Sequence, residues 1–146
     1  MPMKPIFLIN GPNLDLLGQR QPEIYGSETL ADVERICRAA ADPVEIVATQ
    51  SSHEGEIVEI VHRARLDGSG IVINAGAYSH TSIAILDALN AFDGPVIEVH
   101  VSNIHAREAF RHHSMISARA DGVIVGCGIQ GYEFAVRRLV SIDTPR

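Results

Sequence analysis

With 146 residues, 46% of them apolar and 21% charged, the chain has the size of one globular domain with one core, and its apolar runs fall far short of the roughly 18 residues of a membrane span. A formal net charge of −6 excludes an extended nucleic-acid surface, which needs a clustered basic face, yet leaves room for an anionic small molecule where positive groups converge. Two cysteines, Cys37 and Cys127, are too few for a disulfide framework and lack metal-ligand spacing, so both read as small buried apolar residues.

The opening "MPMKPIFLINGPN" is too briefly apolar before Gly-Pro to act as a secretory leader, and the expected compartment is the cytoplasm. Within it, "KPIFLIN" (4–10) reads as a first strand. The next stretch, "NGPNLDLLGQRQPEIYG" (10–26), is roughly three times as long as a usual crossover loop, and ordered loops of that length are commonly binding loops or lids. "TLADVERICRAA" then sets Leu30, Val33, Ile36 and Cys37 on one helical stripe, with Thr29 and Asp32 as an N-terminal cap. "VEIVAT" (44–49) is a second strand, followed by a helix over "EGEIVEIVHRARL" whose stripe is Ile57, Val58, Val61 and Leu66. Strands "GIVIN" (70–74), "PVIEVHV" (95–101) and "GVIVG" (122–126) follow. Each precedes an expected helix, in "SIAILDALNAF", "AREAFRHHSMI" and "YEFAVRRLVSI". Alternation of this kind predicts one α/β domain over 1–146: a flavodoxin-like, doubly wound, five-stranded parallel sheet of order 2-1-3-4-5, with ligands at the carboxyl ends of its strands.

Polar residues gather at those ends. Strand one runs into Asn10, Asn13, Arg20 and Tyr25; strand three into Asn74, Ser79, His80 and Ser82; strand four carries Glu98, His100 and Ser102. The two-residue period of a strand sends these last three to one side, and a carboxylate beside an imidazole favours the protonated ring that a general acid needs. A satisfied structural pair is the alternative for Glu98 and His100 taken alone. Tyr25 becomes a base if an arginine stabilises its phenolate, and Arg20 lies in the same loop; a surface-packed tyrosine with a solvated arginine is the more ordinary outcome of that spacing. Arg107 and Arg111 share a face of the helix expected there; Arg111 could reach the site, while Arg107 is as well suited to pairing with carboxylates.

His105, His112 and His113 lack any metal-site pattern, so no metal is expected. "GCGIQG", with Gly126, Gly128 and Gly131, matches a dinucleotide fingerprint, but it follows the last strand and too little chain remains beyond it. A flavodoxin-like regulatory or nucleotide-binding module using that turn is the rival to an enzyme.

Five segments, "NGPNLDLLGQRQPEIYG", "QSSHEGE", "INAGAYSHTS", "EVHVSNIHAREAFRHHS" and "GVIVGCGIQGYEFAVRRL", together resemble the type II 3-dehydroquinate dehydratases, in the same order and over nearly the whole chain. The resemblance implies a flavodoxin-like fold and cofactor-free, reversible dehydration of 3-dehydroquinate to 3-dehydroshikimate, a step of the shikimate pathway to chorismate and the aromatic amino acids, or of quinate breakdown. It implies Tyr25 as base, His100 as acid and Arg20 stabilising the developing charge. Asn13 would hold a water at the enolate and Glu98 would support His100. Substrate would be bound by Asn74, the backbone at Val101 and Ser102, His80, Arg111, and Asp87 from a neighbouring subunit. Residues 10–26 would close as a flap, and trimers would pack into a dodecamer. The type I route through a lysine imine has only Lys4 to draw on. This chain has Asp15, Gln21 and Ser52 where family members commonly carry Asn, Glu and Asn.

Overall fold

Short runs of β-branched and other apolar residues form five strands: β1 (Ile6–Asn10), β2 (Ile46–Gln50), β3 (Gly70–Asn74), β4 (Val96–His100) and β5 (Gly122–Val125). In the computed structural model, which describes residues 3–142, they pair in parallel in the order β2-β1-β3-β4-β5, as the alternating pattern predicts. Residues 1–2 and 143–146, the ends of the expected domain, lie outside the described residues. The inner strands β1, β3 and β4 are buried along their whole length, whereas the edge strands β2 and β5 are partly exposed.

Strand side chains alternate between two helical layers. On one face Ile6, Leu8, Val72, Ile97 and Val99 meet helices α2 (Leu30–Ala41) and α5 (Gln130–Ile142) through Val33, Cys37, Ala135 and Leu139. On the other, Phe7, Ile9, Ile71, Ile73 and Val96 meet α3 (Glu54–Asp67) and α4 (Ile83–Asn90) through Ile57, Val61, Ile85 and Leu89. Each fully buried Ile or Leu contributes about 1.5–3 kcal/mol, so these two layers dominate the stability. Helix α2 starts at the expected capping box: the Asp32 N–H donates to Thr29 Oγ1 (3.3 Å) and the Thr29 N–H to Asp32 Oδ2 (2.9 Å).

Three expectations fail, each for a local reason. Leu66 is 67% exposed, because nine positions beyond Ile57 at about 100° each bring it to the opposite side of α3; Ile57, Ile60, Val61 and Ala64 form the buried stripe. Cys127 is exposed on the turn after β5, while Cys37 is buried and its thiol is pushed up to about 12 by that burial. The segment "AREAFRHHSMI" is not an α-helix; the chain there makes short 3₁₀ turns at Ile104–Ala106, Ala109–Arg111 and Ile116–Ala118. Tertiary partners take the groups that a helix would use. His112 Nε2 lies 2.8 Å from the Arg107 carbonyl, His80 Nδ1 lies 2.8 Å from the His113 carbonyl, and the Met115 N–H donates to the Ser79 carbonyl (2.6 Å).

At the carboxyl end of β1 the backbone passes close against β3. The Gly11 N–H donates to the Asn74 carbonyl (2.8 Å), and a Cβ on Gly11 would sit 2.4 Å from the Ala75 carbonyl oxygen. Gly11→Ala is therefore expected to lower unfolding free energy by about 1–3 kcal/mol in urea titrations, by forcing two backbones apart. Gly55→Ala, in α3 with nothing within 4 Å of the new methyl, is expected instead to add about 0.5–1 kcal/mol.

Candidate active site

Residues 10–26 form a structured loop over the carboxyl end of β1. A 3₁₀ turn (Leu14–Leu16) follows Asn13, whose φ of 70° is left-handed, and buried Leu14 and Leu17 peg the loop to the body. One helical turn, α1 (Pro22–Tyr25), ends at Gly26 with φ 82° and delivers Tyr25 half-buried to a cleft. The Arg20 guanidinium stands 5.1 Å from the Tyr25 ring centroid, closer than the ordinary outcome of that spacing, a solvated arginine. The direct hydrogen bond, however, comes from elsewhere: Arg107 Nη1 donates to the Tyr25 hydroxyl oxygen (2.8 Å) and to Ser102 Oγ (3.2 Å). A phenol oxygen that accepts from a guanidinium is equipped to carry negative charge. Asp15 is exposed and, among the described residues, makes no ion pair with Arg20.

Across the cleft, the alternation of β4 turns both Glu98 and His100 toward the layer of α3 and α4. Glu98 is fully buried and accepts from His100 Nε2, Ser114 Oγ (2.7 Å) and Ser117 Oγ. Burial alone would raise its carboxyl, but the hydrogen bonds from His100, Ser117 and Ser114 outweigh it and hold the group below the usual range. Nε2 is thus engaged, which leaves Nδ1 of His100 as the nitrogen available to the cleft. The His80 ring stacks on His100 with centroids 6.0 Å apart. Burial, together with the positive fields of His100 and Arg111, lowers the His80 pKa against the pull of the His113 carbonyl on Nδ1. His80 is therefore neutral at pH 7, with Nδ1–H donating to that carbonyl and Nε2 left as an acceptor.

Tyr25, Arg20, Asn13, Asn74, His80, His100, Val101, Ser102 and Arg111 line one cleft, and Arg107 lines it with them. The floor is built by a network that sequence reasoning missed. Tyr132 of α5, fully buried, donates to Asn10 Oδ1 (2.7 Å) and accepts from Asn74 Nδ2 (2.9 Å), while the Gly76 N–H donates to Asn74 Oδ1 (3.1 Å). The Asn74 amide is thereby fixed with its NH₂ side toward Tyr132. Asp87, on the exposed side of α4, does not line this chain's own cleft. Ser79 is buried, and Ser82 accepts from the Ile85 N–H (2.9 Å) as the cap of α4, so neither faces the cleft. Arg107 and Tyr25 are 82 residues apart, and no local spacing links them.

The turn "GCGIQG" serves the same rim. Gly126 and Gly128 have φ of 81° and 62°, and their N–H groups donate to the carbonyls of His100 (3.2 Å) and Val101 (3.1 Å). Amides so engaged are not free to cradle a pyrophosphate, which disfavours the nucleotide-binding alternative. Lys4 Nζ donates to the Leu66 carbonyl (3.0 Å) before the amino end of β1, the opposite edge of the sheet from the cleft. Among the described residues no group of three or more His, Cys, Asp or Glu is arranged to hold a metal ion, and no helix is long and apolar enough to cross a membrane.

Sheet order and cleft together define a flavodoxin-like, doubly wound α/β protein with a polar site at the carboxyl ends of β1, β3 and β4. A family model described as Dehydroquinase class II matches residues 4–140. A 3-dehydroquinate dehydratase of Streptomyces avermitilis is 66% identical over 141 residues, covering 94% of this chain and 89% of that protein. One from Cereibacter sphaeroides is 65% identical over 139 residues, covering 94% and 95%. The crystal structure of a type II dehydroquinase from Propionibacterium acnes superposes with a TM-score of 0.91 at 42% identity, covering 97% of this chain and 99% of that one. The chain belongs to the class II dehydroquinase family.

The two downward shifts give a pH dependence with a definite sign. Because His80 and Glu98 bind protons less readily when folded, the unfolded chain takes up more protons as pH falls. Their stabilisation is complete above the usual histidine value of 6.5; it is lost first through His80, then through Glu98 below 4.5. Unfolding free energy should fall across that span, and Glu98→Gln should reduce the loss below pH 4.5 without abolishing it, because the carboxyls of Glu108 and Asp32 are also held below their usual values, as read by urea titrations at a series of pH values.

Proposed function

We propose that this chain catalyses the reversible elimination of water from 3-dehydroquinate, giving 3-dehydroshikimate through an enolate. The observation that carries this reading is that one cleft is lined both by Tyr25, its oxygen held by Arg107, and by His100, held by buried Glu98. A proton on C2, next to the ketone, is too weakly acidic for water to remove, so the reaction needs a charged base and fixed donors for the enolate. Tyr25 as phenolate takes the C2 proton. Arg107 and Arg20 stabilise its charge, and Asn13 holds a water at the enolate oxygen. The enolate electrons then form the C1–C2 double bond as the C1–O bond breaks, and His100 Nδ1 gives its proton to the departing hydroxyl. Tyr25 finishes protonated and His100 neutral; one proton passed between them through solvent resets the site.

The remaining groups suit recognition. Asn74 and the backbone at Val101 and Ser102 receive the substrate carboxylate. Arg111 donates to a ring hydroxyl, and neutral His80 accepts from another at Nε2. Residues 10–26 act as the flap that excludes water during reaction and opens for exchange, which accounts for their length. No organic cofactor or metal enters this route, and the cytoplasm is its compartment. Assembly into trimers and a dodecamer, as the family resemblance implies, would bring Asp87 of one subunit to the cleft of the next; its exposed position away from its own cleft supports this.

Mixing the chain with 3-dehydroquinate should produce the ultraviolet absorbance of a conjugated enone. Tyr25→Phe and His100→Ala are each expected to lose at least about a hundredfold in kcat, the low end for removal of an acid or base. A mild effect of Tyr25→Phe would remove the base assignment. Light scattering should give the mass of a dodecamer, and a stable, active monomer would refute the cross-subunit role of Asp87.

A further inference from the structure

The segment that replaces the expected helix after β4 touches the acid side of the cleft at several points. His113 offers its carbonyl to His80 Nδ1 (2.8 Å), Ser114 Oγ donates to Glu98 Oε2 (2.7 Å), and Ser117 Oγ donates to Glu98 Oε1. Between them the Met115 N–H is tied to the Ser79 carbonyl (2.6 Å), and Ile116 is fully buried in the layer of α3 and α4. Neither serine lines the cleft. Had residues 109–117 formed an α-helix, the His113 carbonyl would have accepted from the Ser117 N–H and been lost to His80.

We infer that Ser117 and Ser114 are positioning residues for the acid step: their hydroxyls hold the buried Glu98 carboxylate charged and aimed, so that His100 keeps its second proton for the substrate. The inference rests on His100 being the acid. Glu98 has no exposed surface, and Oε1 takes its hydrogen bond from Ser117 while Oε2 is shared by His100 and Ser114. A buried carboxylate deprived of hydroxyl donors draws a proton from its neighbour, which turns an ion pair into two neutral groups. The hydroxyls oppose that transfer. The other charged and titratable groups facing the pair are His80 from the turn after β3 and Arg111 from the turn at Ala109–Arg111, with Tyr25, Arg20 and Arg107 across the cleft.

The sign of the effect follows from charge. When His100 loses its proton, the pair passes from neutral to −1, and the serine donors stabilise the charged state more. Removing one donor therefore raises the pH at which that proton leaves, and also makes His100 a weaker acid. Ser117→Ala should move the basic limb of the kcat profile upward by about half to one pH unit, lower kcat about tenfold and leave KM within about twofold. Ser117→Thr, which keeps the hydroxyl, should restore the wild-type limb. Ser114→Ala should show the same direction with a smaller shift, because its oxygen is shared with His100, and it supplies the answer should Ser117→Ala fail to fold. A basic limb that stays at the wild-type pH in the alanine variants overturns the inference whatever happens to kcat. Failure of the underlying reading looks different: the wild-type chain would leave 3-dehydroquinate unchanged, or His100→Ala would keep wild-type turnover.

Discussion

Arg107 Nη1 donates at once to the Tyr25 and Ser102 hydroxyls, and so ties the loop after β1 to the loop after β4. The rest of the cleft depends on this bridge. Tyr25 sits on a single helical turn bounded by left-handed backbone at Gln21 and Gly26, with no sheet hydrogen bonds of its own. Arg20 belongs to that loop, whereas Arg107, half-buried, ends the 3₁₀ turn Ile104–Ala106 after β4. A guanidinium from the β4 side of the cleft, the side that also carries His100, therefore holds the phenol oxygen.

The two sides of the cleft are built differently, and the difference suits their tasks. The Tyr25 side is a partly exposed loop pegged by buried Leu14 and by Leu17, which joins the core layer of α2 and α5. The His100 side is a strand end with every polar contact prearranged: Glu98 below, His80 stacked alongside, and the backbone carbonyls of His100 and Val101 held by Gly126 and Gly128. Residues fixed in this way are held in one geometry by their neighbours. Tyr132 extends the same rigidity to Asn74 through a fully buried hydroxyl.

Much of this arrangement is legible in the sequence because it rests on short-period patterns. Five apolar runs alternating with amphipathic segments dictate the parallel sheet, the period of two puts Glu98 and His100 on one side of β4, and Thr29 with Asp32 marks the start of α2. What escapes is tertiary. The composition of residues 106–116 suits a helix, yet His80, Ser79 and His112 claim its backbone groups, and His80 and Ser79 lie far away in the chain. Arg107, as well suited to carboxylates by its place in the sequence, meets the Tyr25 phenol from 82 residues away. Cys127 follows a glycine with φ of 81° that turns it into solvent, a direction that cysteine's general preference for burial does not encode.

The proposed reaction requires that a phenol and an imidazole reach one substrate ring from opposite sides. A crystal structure of the protein with a bound, unreactive analogue of 3-dehydroquinate tests it most directly. Tyr25 Oη is expected within about 3.5 Å of the ring carbon next to the ketone, and His100 Nδ1 within hydrogen-bond reach of the C1 oxygen on the other face. An analogue seated in the cleft with both groups on the same face, or with either one beyond reach, would contradict it.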